Sequence, residues 1–284
     1  MWLRQARPLE LQDARDGGRG VESAAAPDNE ILREVHESLR LFWDEDAATY
    51  ERSLEHVPHT HAQWGAWTAA LTRHLPPAPA RVLDVGAGTG FLSLIMAQLG
   101  YRVTALDLSP GMLEILRSHA RREGLDIEII EGAAELPPAG PFDAVVERLL
   151  LWTLIDPKHA LDSWRQAAPN GRLVCYEGLW AGDRLEALRY RARGYLRRLR
   201  REPPEHHAPY PAIFGGLAEE ARAHPDYLVA TVEAAGWACV RLERLSDVEW
   251  AEALAMPPLL RLAGVTPEFA VIADQRLGAQ APGQ

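Results

Sequence analysis

The sequence predicts an α/β fold built on a largely parallel sheet. From Arg81 to Trp180, short apolar runs of strand length alternate with amphipathic runs of helical length. Such alternation gives right-handed crossovers and parallel strands. The first run, VLDVGAGTG, passes from an acid into glycines at every second position, which predicts a tight loop between a strand and a helix. The second run ends in another acid, Asp107.

Periodicity and cap residues justify the elements in order. The pattern from Asn29 to about Leu75 is helical, with apolar residues on one face. The strands RVLDV, RVTALDL, DIEIIEG, FDAVVE and RLVCYEGLW follow, separated by helices that begin near Phe91, Ser109 and Pro157. Ser109 is placed to cap its helix, with proline at the first helical position. After residue 224 come the helix DYLVATVEAAG and the strands WACVRLERL and EFAVIADQR.

The change of rhythm after Trp180 indicates an insertion over residues 182–224. Chain that follows a strand end lies over the ligand-binding edge of an open sheet. We therefore expect six segments: a disordered start (1–26), an N-terminal helical lid (27–78), a core (79–181), a helical insertion (182–224), the final helix and strands of the core (225–276) and a disordered tail (277–284).

Composition excludes several classes of protein. The net charge of −10 disfavours nucleic-acid binding. No apolar run reaches the roughly 18 residues of a membrane span, and the first twenty residues lack the apolar core of a secretory signal. The only cysteines, Cys175 and Cys239, lie in strand-like runs and are expected to be buried thiols rather than a disulfide. We expect a cytoplasmic location.

The glycine loop indicates the kind of ligand. Gly86, Gly88 and Gly90 stand at alternate positions, and Phe91 occupies the place of the third glycine of a dinucleotide fingerprint. The phosphate-loop motif is absent as well. The loop therefore brings the backbone close to a ligand other than a pyrophosphate. Asp107, at the end of the second strand, can accept hydrogen bonds from two ribose hydroxyls.

The ordered motifs resemble those of the Rossmann-like (class I) S-adenosylmethionine-dependent methyltransferases, especially the ubiquinone/menaquinone-type and natural-product subgroup. They are LDVGAGTG, VTALDLSPGML, EGAAELP, FDAVVERLLLWTLIDPKHAL and APNGRLVCYEG. The resemblance covers roughly Ala80 to Trp180. It implies a seven-stranded sheet whose last strand, EFAVIADQR, is antiparallel. It also implies S-adenosylmethionine as the cofactor and a small-molecule methyl acceptor.

The resemblance implies a set of cofactor-binding residues. Asp84 would orient the loop or meet the amino group of the cofactor. The family often places an acid where this chain has Ala133, so that contact with the adenine amino group is lost or replaced by Glu135. The remaining expected contacts are Gly86, Ala87, Gly88 and Gly90 around the methionine part, Asp107 at the ribose, Leu108, Met112, Ala133 and Ala134 at the adenine, Glu147 to Leu151 in the wall, and Trp43 and Tyr50 closing over the cofactor.

The sequence says less about the methyl acceptor than about the cofactor. His206, His207 and Tyr210 are candidates for a base or for orienting an acceptor hydroxyl, and no metal site is expected. The DNA-methylating motif [DN]-P-P-[YF] is absent after the fourth strand, which disfavours DNA. The predicted arginine-rich helix 184–201 is expected to present its arginines to solvent. The alternatives are that these arginines bind an anionic substrate, a membrane surface or RNA. An RNA methyltransferase, a non-catalytic sensor or scaffold, and a homodimer all stay open.

Overall fold

The computed structural model describes residues 29–53, 56–178, 188–189, 191–192, 194–196 and 225–275. The predicted disorder of 1–26 and 277–284 lies outside these residues, as does most of the predicted insertion. The expected seven-stranded, mostly parallel sheet is confirmed. Its strands are β1 (Arg81–Val85), β2 (Arg102–Asp107), β3 (Ile127–Glu131), β4 (Ala144–Arg148), β5 (Arg172–Gly178), β6 (Ala238–Arg244) and β7 (Glu268–Asp274).

The strand order is β3-β2-β1-β4-β5-β7-β6. Strands β1 to β5 pair in parallel, and β7 runs antiparallel to both β5 and β6. The antiparallel last strand expected from the sequence is therefore present. Because β1 and β4 are neighbours although β2 and β3 intervene in the chain, the chain reverses direction across the sheet at β1, where open α/β sheets bind ligands.

Eight α-helices with assigned bounds lie around the sheet, and residues 188–189, 191–192 and 194–196 are helical as well. The eight are α1 (Asn29–Tyr50), α2 (His61–His74), α3 (Phe91–Gln98), α4 (Pro110–Glu123), α5 (Pro157–Ala167), α6 (Pro225–Ala234), α7 (Ser246–Ala255) and α8 (Pro258–Arg261). The predicted cap of α4 is present, since the Ser109 hydroxyl accepts a hydrogen bond from the Met112 amide at 3.1 Å. No helix among these is long and apolar enough to cross a membrane.

The core has a layer on each face of the sheet. Trp164 and Leu161 of α5 pack with Val232 of α6 on one face. Trp67 of α2 packs with the apolar face of α3 on the other. Every residue of β1 after Arg81 is buried, as expected of a central parallel strand that is covered on both sides. These two layers fix the strand ends from which the ligand-binding loops emerge.

The segment between β6 and β7, to which no element was assigned from the sequence, forms α7 and α8. One sequence expectation is wrong. Cys239 was expected to be a buried thiol and is exposed, because β6 has an irregular register between Ala238 and Arg241 and Cys239 takes a left-handed φ of 52°. Cys175, on the central strand β5, is buried as expected.

Candidate active site

A cleft of about 760 Å³ lies at the carboxyl ends of β1, β2 and β4. This volume includes the space at the mouth of the cleft that is open to solvent. The sheet side is formed by loops after these strands, and α1 forms the opposite wall. The lining residues are His36, Leu39, Trp43, Tyr50, Gly86, Gly88, Leu106, Asp107, Leu108, Met112, Gly132, Ala133, Ala134, Glu135, Arg148, Leu149, Leu150, Thr153 and Leu154.

The glycine loop after β1 is closely packed except at one position. All three glycines have positive φ, a conformation that glycine adopts without steric penalty. A Cβ at Gly86 would lie 2.8 Å from Leu150 Cδ1, and one at Gly90 would collide with Leu116. At Gly88 the nearest atom would be Tyr50 Cε1 at 4.0 Å. Gly88 is therefore where the backbone faces open space in the cleft.

Asp107 connects the glycine loop to the start of α4. Its Oδ2 accepts a hydrogen bond from the Gly88 amide, and its Oδ1 accepts one from the Ser109 amide, both at 2.8 Å. Burial raises the pKa of Asp107, and these backbone amides oppose that rise. Each carboxylate oxygen has a further lone pair. The side chain is thus held at the cleft and keeps the capacity to accept hydrogen bonds from a ligand.

Asp84 lies behind the loop rather than in the cleft wall. Its Oδ2 accepts a hydrogen bond from the Ser93 hydroxyl of α3 at 2.6 Å. Only 2% of Asp84 is exposed, and burial raises its pKa to about 7. Of its two expected roles, the structure supports orienting the loop, because the hydrogen bond to Ser93 fixes the helix that follows the loop.

Helix α1 closes the cleft from the side opposite the sheet. Asp44 Oδ1 accepts hydrogen bonds from the Ser109 hydroxyl at 2.5 Å and from the Gly111 amide at 2.9 Å. These contacts attach α1 to the first turn of α4. Trp43 and Tyr50 both line the cleft, as the sequence predicts. Burial raises the pKa of Tyr50 to about 12, so its hydroxyl stays protonated and can donate a hydrogen bond at neutral pH.

The loop after β3 forms the end of the cleft predicted to hold adenine. Ala133, Ala134 and Glu135 line it, together with Leu108 and Met112 across from them. Glu135 Oε2 lies 3.3 Å from His36 Nε2 on α1. Burial favours a higher pKa for Glu135, but the contact with His36, a backbone hydrogen bond and the charge of His159 together outweigh burial and lower the pKa. The same contact raises the pKa of His36. When His36 is protonated, an ion pair therefore joins α1 to this loop.

The loop after β4 forms the third wall. Arg148, Leu149 and Leu150 line the cleft, and the Arg148 guanidinium lies 4.4 Å from the ring centroid of Phe91. The expectation that Glu147 itself belongs to this wall is wrong. Glu147 is fully buried behind it, and its Oε2 accepts a hydrogen bond from the Leu150 amide at 3.0 Å.

The structure thus divides the predicted cofactor residues into two sets. Tyr50, Gly86, Gly88, Asp107, Leu108, Met112, Ala133 and Ala134 line the cleft, whereas Asp84, Ala87, Gly90 and Glu147 lie behind it. His206, His207 and Tyr210 lie outside the described residues. Sequence reasoning missed His36 and Leu39. Their spacing with Trp43 and Tyr50, at intervals of three, four and seven residues, is that of one helix face and was available as a signal.

Comparison with known proteins decides the family. A family model described as "Methyltransferase domain" matches residues 83–175. A demethylmenaquinone methyltransferase of Mycolicibacterium vanbaalenii is 32% identical over 222 residues, which cover 76% of this chain and 92% of that protein. This chain belongs to the class I S-adenosylmethionine-dependent methyltransferases. Membership of this family explains why the chain has this strand order, the glycine loop after β1 and an acid at the end of β2.

Other relatives match shorter parts of this chain. A protein-L-isoaspartate O-methyltransferase of Bordetella parapertussis is 33% identical over 174 residues, 53% of this chain and 65% of that protein. A ubiquinone biosynthesis O-methyltransferase of Xanthomonas axonopodis is 41% identical over 90 residues, 31% of this chain and 38% of that protein. The chain therefore spans less than two thirds of the length of these relatives.

Solved structures show the same fold. The YcgJ protein of Bacillus subtilis superposes with a TM-score of 0.52 at 17% identity, covering 75% of this chain and 99% of that one. A SAM-dependent methyltransferase of Aquifex aeolicus gives a TM-score of 0.50 at 16% identity, covering 80% of this chain and 97% of that one. The residues of the cleft are compatible with the family's cofactor, because Gly88 leaves room for a close approach and the Asp107 carboxylate lines the cleft.

Proposed function

We propose that this protein transfers a methyl group from S-adenosylmethionine to a small-molecule acceptor. The observation that carries the proposal is the pairing of Gly88 and Asp107 at one end of a deep cleft. The open side of Gly88 admits a ligand against the backbone. The Asp107 carboxylate accepts a hydrogen bond from the Gly88 amide. It lies at the end of β2, where folds of this kind bind the ribose hydroxyls of a nucleoside cofactor.

The residues of the cleft have distinct proposed tasks. Asp107 accepts hydrogen bonds from the ribose, and Leu108 and Met112 pack on the adenine. S-adenosylmethionine supplies an activated methyl group for in-line displacement. The chain then has to align the acceptor at roughly 3 to 3.5 Å and exclude water. Trp43 and Tyr50 of α1 cover the cleft on the side opposite the sheet and serve this exclusion.

The acceptor is proposed to be a small aromatic or quinone-type molecule. The printed names of two relatives, a demethylmenaquinone methyltransferase and a ubiquinone biosynthesis O-methyltransferase, support this class. Tyr50 is protonated at neutral pH, so we assign it hydrogen-bond donation rather than proton abstraction. His206, His207 and Tyr210 remain the proposed candidates for a base. DNA is not proposed as the acceptor, and a cytoplasmic location and a homodimer are part of the proposal.

A binding and turnover experiment tests the function. S-adenosylhomocysteine at 100 times its Kd is expected to stabilise the protein by about 2.7 kcal/mol, which a thermal shift reports. Methyl transfer from radiolabelled S-adenosylmethionine to a panel of catechols and hydroquinones is then measured. Binding without transfer to any acceptor in the panel or in a cell extract would favour a sensor or scaffold. The absence of any shift would contradict the proposal.

A further inference from the structure

The segment Leu149, Leu150 and Leu151, here called the post-β4 wall, follows β4 and packs on the glycine loop through Leu150. Leu149 and Leu150 line the cleft, and Leu151 is buried behind them. Leu150 contacts Gly86 so closely that a Cβ there would lie 2.8 Å from Leu150 Cδ1. Leu149 has a φ of 57°, which is unfavourable for a residue with a side chain. A segment in this conformation persists only when its surroundings fix it. What fixes this wall therefore also sets the space beside the glycine loop.

Three consecutive backbone amides anchor the post-β4 wall. The Leu149 amide donates to the Tyr176 carbonyl at 2.9 Å, as a continuing sheet would provide. The next two amides donate to side chains instead. Leu150 donates to Glu147 Oε2 and Leu151 to Glu177 Oε1, both at 3.0 Å. Two carboxyl groups thus replace the backbone acceptors that the chain leaves behind when it departs from the sheet.

Both carboxyl groups are buried among other acids. Glu147 is 0% and Glu177 4% exposed. Burial raises the pKa of Glu147 to about 8, and burial together with the Glu147 charge raises the pKa of Glu177 well above its usual range. The groups that act on them are Cys175 of β5, Asp84 of β1 and Glu268 of β7, together with the cation Arg148. Retaining two carboxyl groups in such a place is unfavourable, so a specific use of their oxygens is expected.

We infer that Glu147 and Glu177 are positioning residues, which hold the post-β4 wall against the glycine loop and thereby shape the cofactor cleft without contacting the cofactor. Neither residue lines the cleft. Their effect reaches it through the amides of Leu150 and Leu151 and through the contact of Leu150 with Gly86. The inference rests on the proposed binding of S-adenosylmethionine in this cleft.

Paired substitutions test the inference. Glu147→Ala and Glu177→Ala remove the acceptor oxygens, whereas Glu147→Gln and Glu177→Gln keep an oxygen in the same place. The probe is S-adenosylhomocysteine, with Kd measured by calorimetry and Tm by thermal unfolding. Glu128 of β3 gives a control, since its Oε2 accepts a hydrogen bond from the Thr104 hydroxyl at 2.8 Å and the residue does not line the cleft. Glu128→Ala tests the general effect of losing a hydrogen-bonded glutamate on a neighbouring strand.

The alanine variants are expected to bind about tenfold more weakly, as lost hydrogen bonds to backbone amides predict. The glutamine variants are expected to stay within about threefold of the wild type and the Glu128 control within about twofold. Glu147→Met and Glu177→Met, which are similar in length and lack the oxygen, replace any alanine variant that does not fold. Lower Tm with unchanged Kd, or equal losses in the glutamine and alanine variants, would overturn the inference alone. A wild-type protein that does not bind the probe would overturn the proposed function with it.

Discussion

The three glycines of the glycine loop differ in what a side chain at each position would disturb. Gly86 and Gly90 have neighbours that leave no room for a Cβ, whereas Gly88 faces the cleft. A sequence pattern of alternating glycines cannot separate these cases, because it gives spacing and no neighbours. Only the packing of Leu150 and Leu116 against two of the three glycines separates a structural position from a ligand-facing one.

Gly88→Ala and Gly90→Ala are therefore expected to fail in different ways. Both place a side chain at positive φ, which costs roughly 1–2 kcal/mol. Gly90→Ala also collides with Leu116 and should lower Tm most. Gly88→Ala should keep a Tm nearer the wild type and lose affinity for S-adenosylhomocysteine. Thermal unfolding and calorimetry on both variants check this, and full affinity in Gly88→Ala would show that the ligand does not approach that residue.

Asp107→Ala is expected to weaken binding of S-adenosylmethionine by roughly 1.5–3 kcal/mol, the scale of hydrogen bonds to a charged group. Asp143 provides a matched control, because it also accepts a hydrogen bond from a backbone amide, that of Arg81, at 2.7 Å. That contact lies at the amino ends of β1 and β4, away from the cleft. Asp143→Ala should therefore leave the affinity for S-adenosylmethionine unchanged. Equal affinity in the two variants, measured by titration calorimetry, would remove the ribose role proposed for Asp107.

At the scale of elements, α1 is the part of the cleft attached mainly by side chains. Asp44 caps the first turn of α4, and His36 pairs with Glu135 across the cleft. Leu39 and Phe42 of α1 also pack in a small apolar cluster with Trp152. An element attached by one such cluster and a few polar contacts can open locally at lower free energy than the sheet does.

The His36–Glu135 pair should make the attachment of α1 depend on pH. Because the folded pKa of His36 is raised, its contribution is complete below about 6.5 and is lost as pH rises through the raised value. Hydrogen exchange of α1, corrected for intrinsic rates, should be faster at pH 8 than at pH 6, by an amount under about 1 kcal/mol. His36→Gln should remove the difference. An unchanged pH dependence in His36→Gln would place the switch elsewhere.

The strands were the easiest elements to predict and the site residues the hardest. The strand cores match because continuous apolar runs with glycine or proline at their ends leave few alternatives. The segment that forms α7 was not assigned from the sequence, although Ser246 and Glu249 have the spacing of a capping box. In the structure its N-cap is Leu245 and no side chain caps it. Glu147 was assigned to the wall because the family resemblance implies that residues 147–151 continue the pocket beyond the fourth strand. Successive strand residues point to opposite faces, and only the structure shows which face the cleft uses.

At the scale of the whole molecule, buried acids link stability to pH. The pKa of Asp84 is about 7 and that of Glu147 about 8, both raised by burial. An acid with a raised folded pKa binds more protons in the folded state than in the unfolded state. Its stabilising effect is complete below the unfolded value near 4.5 and declines until pH reaches the folded value. The native sheet is therefore expected to become less stable through neutral pH.

The free energy of unfolding should fall between pH 6.5 and pH 8, and Glu147→Gln should reduce that fall. Urea denaturation at both pH values measures it for the two proteins. Glu243→Gln serves as the control, because the pKa of the partly exposed Glu243 is lowered and this acid is ionised in both states throughout the window. Equal stability of the wild-type protein at the two pH values would contradict the raised pKa of Glu147.

The position of β7 has a consequence for synthesis on the ribosome. This strand follows β6 in the chain, yet it lies between β5 and β6 and supplies the hydrogen bonds of both. A nascent chain that has emerged only as far as β6 presents an open edge at β5, and unpaired edges of this kind promote aggregation. The cleft-forming strands β1, β2 and β4 can pair before that point. The part of the sheet that carries the cleft can thus assemble first. The part formed by β5, β6 and β7 can pair only after β7 has been synthesised.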